Sequence, residues 1–175
     1  MGYELAEPDM RYAAEISAYR EEMLAAGSSM DGTGNLREIS DPFIWIVYNR
    51  LFRSEDTLPD KEFVPADQLL YVRREDGRVA GMIQIRRRLN DFLARYGGNI
   101  GYSVRPSERR KGIAKSMLRD CLELCRERGM GKVLVTCLTE NEGSRKTILA
   151  NGGVFDGIAE DERNGERLER YWIAL

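Results

Sequence analysis

The chain has 175 residues, 27 of them basic and 29 acidic, and it contains no histidine. With 42% hydrophobic and 32% charged residues it is too apolar for disorder, and its length predicts one domain over 1–175 with a core that needs no disulfides. A net charge of −2 gives no field for nucleic acid or an anionic membrane, and the missing imidazoles remove Ser-His-Asp and Cys-His catalysis and every histidine-dependent metal site.

The opening stretch carries Glu4, Glu7 and Asp9 and has no apolar core of a secretion signal. The longest apolar run, Phe43 to Tyr48, is far shorter than the ~20 residues of a membrane span, so a cytoplasmic location is expected. Apolar and small residues at Met10, Ala13, Ala14, Ser17, Ala18, Met23 and Leu24 predict a helix from Met10 to Ala26, ending at Gly27. A Gly-, Ser- and Asp-rich loop fills 27–35. Asp41 and Pro42 then read as N-cap and first residue of a second helix whose apolar face is Phe43, Ile46, Val47, Arg50 and Leu51.

Two β-prone runs, Gln68–Arg73 and Val79–Arg86, read as a hairpin across Asp76-Gly77. Asn99–Val104 is a further strand, stopped by Pro106. From Lys111 to Arg128 the four-residue spacing of Ile113, Met117, Cys121 and Cys125 predicts the best amphipathic helix of the chain. Lys132–Leu138 is a near-continuous apolar strand covered on both faces, Glu142–Ala150 a short helix, and Val154–Ile158 with Leu168–Leu175 a last strand pair around Asn164-Gly165. The fold class is α/β or α+β with a mixed sheet. Cys121, Cys125 and Cys137 read as buried thiols of a reduced protein, with no fourth soft ligand for zinc and no metal expected.

Between the third strand and the long helix, residues 105–115 hold five cations against the single acid Glu108. A glycine after a strand, outward N–H groups and the positive end of a helix make an anion site. Cations at a helix start oppose its dipole, which points to an anion that compensates them. Neither the P-loop spacing nor GxGxxG is present. Arg109, Gly112 and Ala114 do match R-x-x-G-x-A, which resembles the acyl-CoA pyrophosphate loop of the GNAT (GCN5-related N-acetyltransferase) family.

The resemblance continues in order over residues 67–175. Ile100–Pro106 is similar to that family's fourth strand, Lys111–Arg128 to its third helix, and Lys132–Leu138 to its fifth strand. Asn141 to Ser144 is similar to the N-x-x-S opening of its fourth helix, and Asn151–Val154 stands near its L-G-F. Residues 100–114 and 134–144 together resemble a bacterial branch of the family.

The resemblance implies a central, mostly antiparallel mixed sheet flanked by helices, with parallel fourth and fifth strands splayed after a bulge. An amide-rich pantetheine arm would add along the exposed edge as an extra strand. It implies acetyl-CoA as co-substrate, held by Ser103 and Val104 and by Arg109, Arg110, Lys111, Gly112, Ile113 and Ala114. Asn141 and Ser144 either face the pantetheine or cap the helix. The expected activity is transfer of the acetyl group to a primary amine of a small molecule or peptide in a ternary complex. The alternative is a catalytically weak acyl-CoA-binding sensor.

Two departures keep that alternative open. The tyrosine that many members carry in the fourth helix is Ile148 here, and the glutamate that some carry in the fifth strand is Thr136. Tyr102, Tyr171 and Cys137 are the remaining candidates, and no catalytic residue is assigned. Glu140 and Glu142 are the acids nearest the strand-to-helix junction. Six acids between Asp156 and Arg170 would favour a cationic acceptor, though solvated hairpin edges look the same. Arg86, Arg87 and Arg88 could bind an anion or simply end a strand. The partners expected are acetyl-CoA and an amine, without nucleic acid or membrane; assembly stays open between monomer and homodimer.

Overall fold

Strand β1 (Tyr3–Ala6) is followed by a 3-10 turn (Met10–Tyr12) and by helices α1 (Ala13–Ala25) and α2 (Pro42–Arg50) in a computed structural model that describes residues 2–175. The hairpin β2 (Ala66–Arg73) and β3 (Val79–Arg86) comes next, then a π-turn (Leu93–Gly97) and β4 (Ile100–Val104). Helix α3 (Ile113–Glu127), strand β5 (Lys132–Leu138) and helix α4 (Glu142–Leu149) lead to the final hairpin of β6 (Val154–Asp161) and β7 (Glu166–Ala174). The strands form one seven-stranded sheet in the order β1-β2-β3-β4-β5-β7-β6, antiparallel except for β4 beside β5.

Period-two alternation divides the apolar residues between two cores. On one face Leu69, Tyr71, Ile83, Ile85 and Ile100 pack with Met117, Cys121 and Cys125 of α3 and Ile148 of α4. On the other, Leu70, Val72 and Met82 pack with Ile16, Tyr19 and Met23 of α1 and Trp45 and Ile46 of α2. Helix α3 buries Ile113, Met117, Leu118, Cys121, Leu122 and Cys125, each of the larger ones contributing about 1.5–3 kcal/mol. It lies so close on β3 that a Cβ at Gly81 would stand 2.8 Å from Met117 Sδ.

The two N-terminal helices show different faces from those expected. In α1 the core side is Tyr12, Ile16, Tyr19 and Met23, with Ala13; Met10 is exposed and Ala14 faces solvent. In α2 the buried residues are Trp45, Ile46 and Asn49, while Phe43, Val47 and Leu51 are exposed. Polar anchoring decides this rotation. Trp45 Nε1 donates to Thr33 O (2.8 Å) and Asn49 Nδ2 to Gly34 O (3.0 Å), locking the helix against the 27–35 loop. Asp41 caps as expected, accepting from the N–H groups of Phe43 and Ile44. Strand β1 and the π-turn are additions that periodicity did not show, because four residues at a sheet edge and five in a turn are too short to display a period.

Candidate active site

Strands β4 and β5 share a single pair, Ile100 opposite Val135. Asn99 closes that end, its N–H donating to Leu134 O (2.7 Å) and its Oδ1 accepting from Leu134 N–H (2.8 Å). Beyond it the strands part: β4 stays paired along its length to β3 and β5 to β7, so two half-sheets are joined at one point. The expected bulge is not what opens them: β3 and β4 stay in register, and the bulges lie at Tyr71/Val72 and Phe155/Gly157.

Two hydrogen bonds, Arg105 N–H to Ala80 O (2.9 Å) and Arg86 N–H to Asn99 O (2.7 Å), set the phase of the β3–β4 ladder. Ser103 directs its backbone to β3 and its hydroxyl to Tyr19 Oη (2.9 Å), whereas Tyr102 and Val104 turn their backbone groups to the split. A cavity of about 710 Å³ runs through this opening.

One end of the cavity is the loop before α3. Gly112 opens the helix in the left-handed region (φ 76°) with no side-chain cap, and open space surrounds the position of a Cβ there. The first N–H to find a partner is that of Ser116, on Gly112 O (3.1 Å); those of residues 110–115 donate to no group among the described residues. Arg110 (φ 62°) and Lys115 point outward and form no ion pair among these residues.

The rest of the basic run is internally used. Arg105, 5% exposed, binds Glu15 Oε2 (2.8 Å) and Glu22 Oε2 (2.6 Å). Burial pushes the Glu22 carboxyl up, but the Ser107 and Arg105 hydrogen bonds outweigh it and hold it down to about 2. Lys111 Nζ sits 3.0 Å from Glu108 Oε2. Arg109 lines the cavity, donating to Val104 O (3.0 Å) and Ser28 Oγ (2.9 Å). Ile113 is buried in the core, so only its N–H reaches the loop. Ala114 lines the cavity. Asn141 is the helix cap, its Oδ1 accepting from Ser144 N–H (3.0 Å), and Ser144 Oγ meets Tyr102 Oη (2.7 Å).

The other end is made of side chains from distant segments. Gly32 (φ 68°) packs so tightly that a Cβ would lie 2.1 Å from Gly101 O, and this pressure of loop on strand brings Asp31 to the cavity wall. The π-turn is tied down by Thr136 Oγ1 donating to Tyr96 O (2.7 Å), which accounts for a threonine at that position of β5. Phe92 and Tyr96 of this segment form a wall. Arg163, from the β6–β7 turn, stacks over Phe92 (4.4 Å) and pairs with Asp161 (2.6 Å). Arg86 completes the lining. Sequence reasoning had weighed Arg86 only as one of a run and had missed Asp31, Phe92, Tyr96 and Arg163. Of the six acids between 156 and 170, Asp156, Asp161 and Glu169 are paired with arginines.

Among the groups able to carry chemistry, Tyr102 lines the cavity and burial pushes its hydroxyl upward, keeping it protonated. Cys137 also lines it, pushed up to about 11 by burial and then by Glu169, so it stays a thiol rather than a nucleophilic thiolate. Tyr171 belongs to the core and donates to Glu169 Oε2 (2.7 Å); burial and that carboxylate push it up to about 12. Glu140 and Glu142 lie outside the cavity lining, Glu142 paired with Lys146 (2.7 Å). Ile148 is fully buried. No group of three or more Cys, Asp or Glu that could hold a metal ion occurs among the described residues, and no helix there is long and apolar enough to cross a membrane.

Residues 36–152 match the model of the family described as "Acetyltransferase (GNAT) family". No curated protein matches the sequence. Among solved structures, the microcin C7 self-immunity acetyltransferase MccE, in complex with acetyl-CoA and AMP, superposes with a TM-score of 0.72 at 19% identity, covering 99% of this chain and 92% of that one. The ribosomal-protein-S5-alanine acetyltransferase from Vibrio fischeri gives 0.72 at 16%, covering 99% and 93%. RimL, a ribosomal L7/L12 alpha-N-protein acetyltransferase in complex with coenzyme A, gives 0.73 at 16%, covering 99% and 94%. At these identities the likeness establishes the fold.

Proposed function

The chain belongs to the acetyltransferase (GNAT) family, an enzyme family that uses acetyl-CoA as co-substrate, and from that premise we propose that it transfers the acetyl group directly to a primary amine in a ternary complex. The observation that carries the proposal is the one-pair contact of β4 and β5. It leaves the backbone groups of Tyr102 and Val104 facing an opening that leads from the free N–H groups of residues 110–115 to the side chains of Asp31 and Arg86 on the opposite face.

The residues present fit acetyl-CoA. The N–H groups of 110–115, with Arg110 and Lys115 beside them, suit a pyrophosphate, and Gly112 leaves the backbone open to it. Ser103 is a neighbour here rather than a ligand, because its backbone is used by β3. Val104 offers its N–H to an amide-rich arm, its carbonyl being held by Arg109. Arg109 holds Val104 O and Ser28 and so joins loop to strand. Ser144 positions the Tyr102 hydroxyl, and Asn141 holds the start of α4 that carries Ser144.

The free amine nitrogen forms a bond to the acetyl carbon as the carbon–sulfur bond breaks; the sulfur takes a proton, and the acylated nitrogen releases one to water, which returns a proton to the donor. Tyr102, protonated and in the opening, is the group placed to supply it. Orientation across the opening supplies much of the remaining barrier reduction. A sensor without turnover would explain Ile148 and Thr136 but would not need the cavity to continue to a far end lined by Asp31, Arg86 and aromatic rings.

The test is release of free thiol from acetyl-CoA against a panel of amines. Tyr102→Phe should lower kcat by about 10²-fold with acetyl-CoA affinity unchanged. Binding of acetyl-CoA with no thiol release for any amine would favour the sensor.

A further inference from the structure

Three consecutive arginines end β3 and enter the following loop, and they meet different fates. Arg87 makes a two-point contact with Asp67 (2.7 and 2.9 Å), and Arg88 one with Glu55 (2.9 and 3.3 Å). Arg86 has no carboxylate within 4.0 Å among the described residues. Its partners are neutral: Nε donates to Gln84 Oε1 (3.0 Å) and Nη1 to Gly97 O (3.0 Å). A guanidinium has five N–H donors, so three remain, in a cavity wall rather than in bulk water.

The surroundings keep this group facing the cavity. Gly101, opposite Gln84 in the β3–β4 register, lacks a side chain where the guanidinium lies: a Cβ there would stand 3.0 Å from Arg86 Nη2 and 3.2 Å from Nη1. Asp31 borders the same chamber; it makes no contact with Arg86 and acts on it only as a nearby charge. Arg163, the other cation on this side, is already neutralised by Asp161. A cation with spare planar donors and no carboxylate in contact with it among the described residues is suited to a carboxylate brought by a ligand, because a two-point contact satisfies charge and donors together.

We propose that the acceptor is a zwitterion of the amino-acid class, its carboxylate bound by Arg86 and its amine on the side of Asp31, facing the opening between β4 and β5. The proposal rests on the acetyltransferase reading above and names its substrate class. Phe92 and Tyr96 would then receive an apolar or aromatic side chain at the chamber wall.

The experiment compares the twenty amino acids with their carboxamides, which keep the amine and lose the anion, as acceptors in the thiol-release assay. For the preferred residue, kcat/KM should fall on the order of 10²-fold from acid to amide. Arg86→Gln should abolish this preference, and Arg86→Lys should retain part of it, with acetyl-CoA affinity within about threefold of the parent in both as the check on folding. In parallel, calorimetry of the N-acetyl amino acids and their amides against CoA-loaded protein requires no turnover and should show the same preference.

Equal rates for acids and amides, or a preference that survives in Arg86→Gln, would overturn the carboxylate assignment while leaving acetyl transfer intact. Binding preference for the N-acetyl acid without any thiol release would support the carboxylate site and count against the acetyltransferase reading. CoA-loaded protein that binds neither acids nor amides would overturn the assignment.

Discussion

The end of the cavity proposed for the cofactor and the end proposed for the acceptor are built from different material. The first is contiguous and mostly backbone: residues 102–115 supply a strand edge, a left-handed turn and six unsatisfied N–H groups, and the helix start that contains them is fixed by one buried apolar stripe. The second is assembled from Asp31, Arg86, Phe92, Tyr96 and Arg163, side chains lying on four separate segments and brought together by a loop pressed on β4, a π-turn and a hairpin tip. A backbone site repeats wherever the turn repeats. A side-chain site changes with each residue, and that is where we place acceptor choice.

Within the basic run itself, Arg105 and Arg110 sharpen the contrast and give the largest expected effect. Arg105 is buried between Glu15 and Glu22, so Arg105→Ala leaves Glu15 without its cation and Glu22 with only Arg78 at 3.8 Å, and should lower stability by about 3 kcal/mol in urea unfolding. Arg110→Ala should leave stability unchanged and weaken acetyl-CoA. Equal stability of the two variants would mean that the Glu15–Arg105–Glu22 cluster holds nothing together. The same cluster carries a pH signature. Glu22 is depressed from its ordinary 4.5 to about 2, so the stability it provides is complete above that ordinary value and is lost as the pH falls towards 2. Glu22→Gln should flatten the acid limb of the stability curve between those values.

How much was legible in the sequence follows the same division. The hairpin at Asp76-Gly77, the strand before Pro106 and helix α3 could be read because each is a local pattern whose stabilising contacts lie within a few residues, whereas Asn141, open in the sequence between cap and ligand, is seen to cap α4 only in the structure. The faces of α1 and α2 could not be read, because Trp45 and Asn49 answer to carbonyls in the preceding loop rather than to hydrophobic rank. Of the expected cofactor residues, Gly112 is a left-handed helix start in open space and Val104 turns its backbone to the split. Ile113 belongs to the core apart from its N–H, and Lys111 is occupied by Glu108. At the acceptor end the sequence offers only the Arg86–Arg88 run as a possible anion site, without singling out Arg86, and nothing in Asp31 announces a partner so distant in the chain. A cue for Arg86 existed only in the glycine at 101, whose meaning depends on the β3–β4 register.

A smaller effect is expected at the acceptor end. Asp31→Asn should reduce kcat/KM for the amine by about 10- to 100-fold, the range for losing one charged hydrogen bond, with acetyl-CoA affinity unchanged. Cys137→Ala should change kcat by less than about threefold, because the thiol, held near 11, stays protonated and inert; acetylated Cys137 in mass spectra would replace direct transfer with a two-step route. With Cys137 and Tyr102 both protonated across the neutral range, kcat/KM should rise from about pH 6 to 9 with the acceptor's own deprotonation, and its midpoint should move with acceptor basicity. One fixed midpoint below about 7.5 for all acceptors would reveal a dedicated base.

The division between a backbone cofactor end and a side-chain acceptor end is tested most directly by calorimetric titration of acetyl-CoA into Gly112→Asp and Arg86→Gln side by side. Gly112 has open space around its Cβ position, so the aspartate places bulk and negative charge in the proposed phosphate site without entering the core. Its positive φ adds a strain of about 1–2 kcal/mol that the fold can absorb. Acetyl-CoA affinity should fall by about 10²-fold or more in Gly112→Asp and stay within about threefold in Arg86→Gln. Parent-like affinity in Gly112→Asp, with loss in Arg86→Gln, would place the cofactor at the opposite end of the cavity and contradict the assignment.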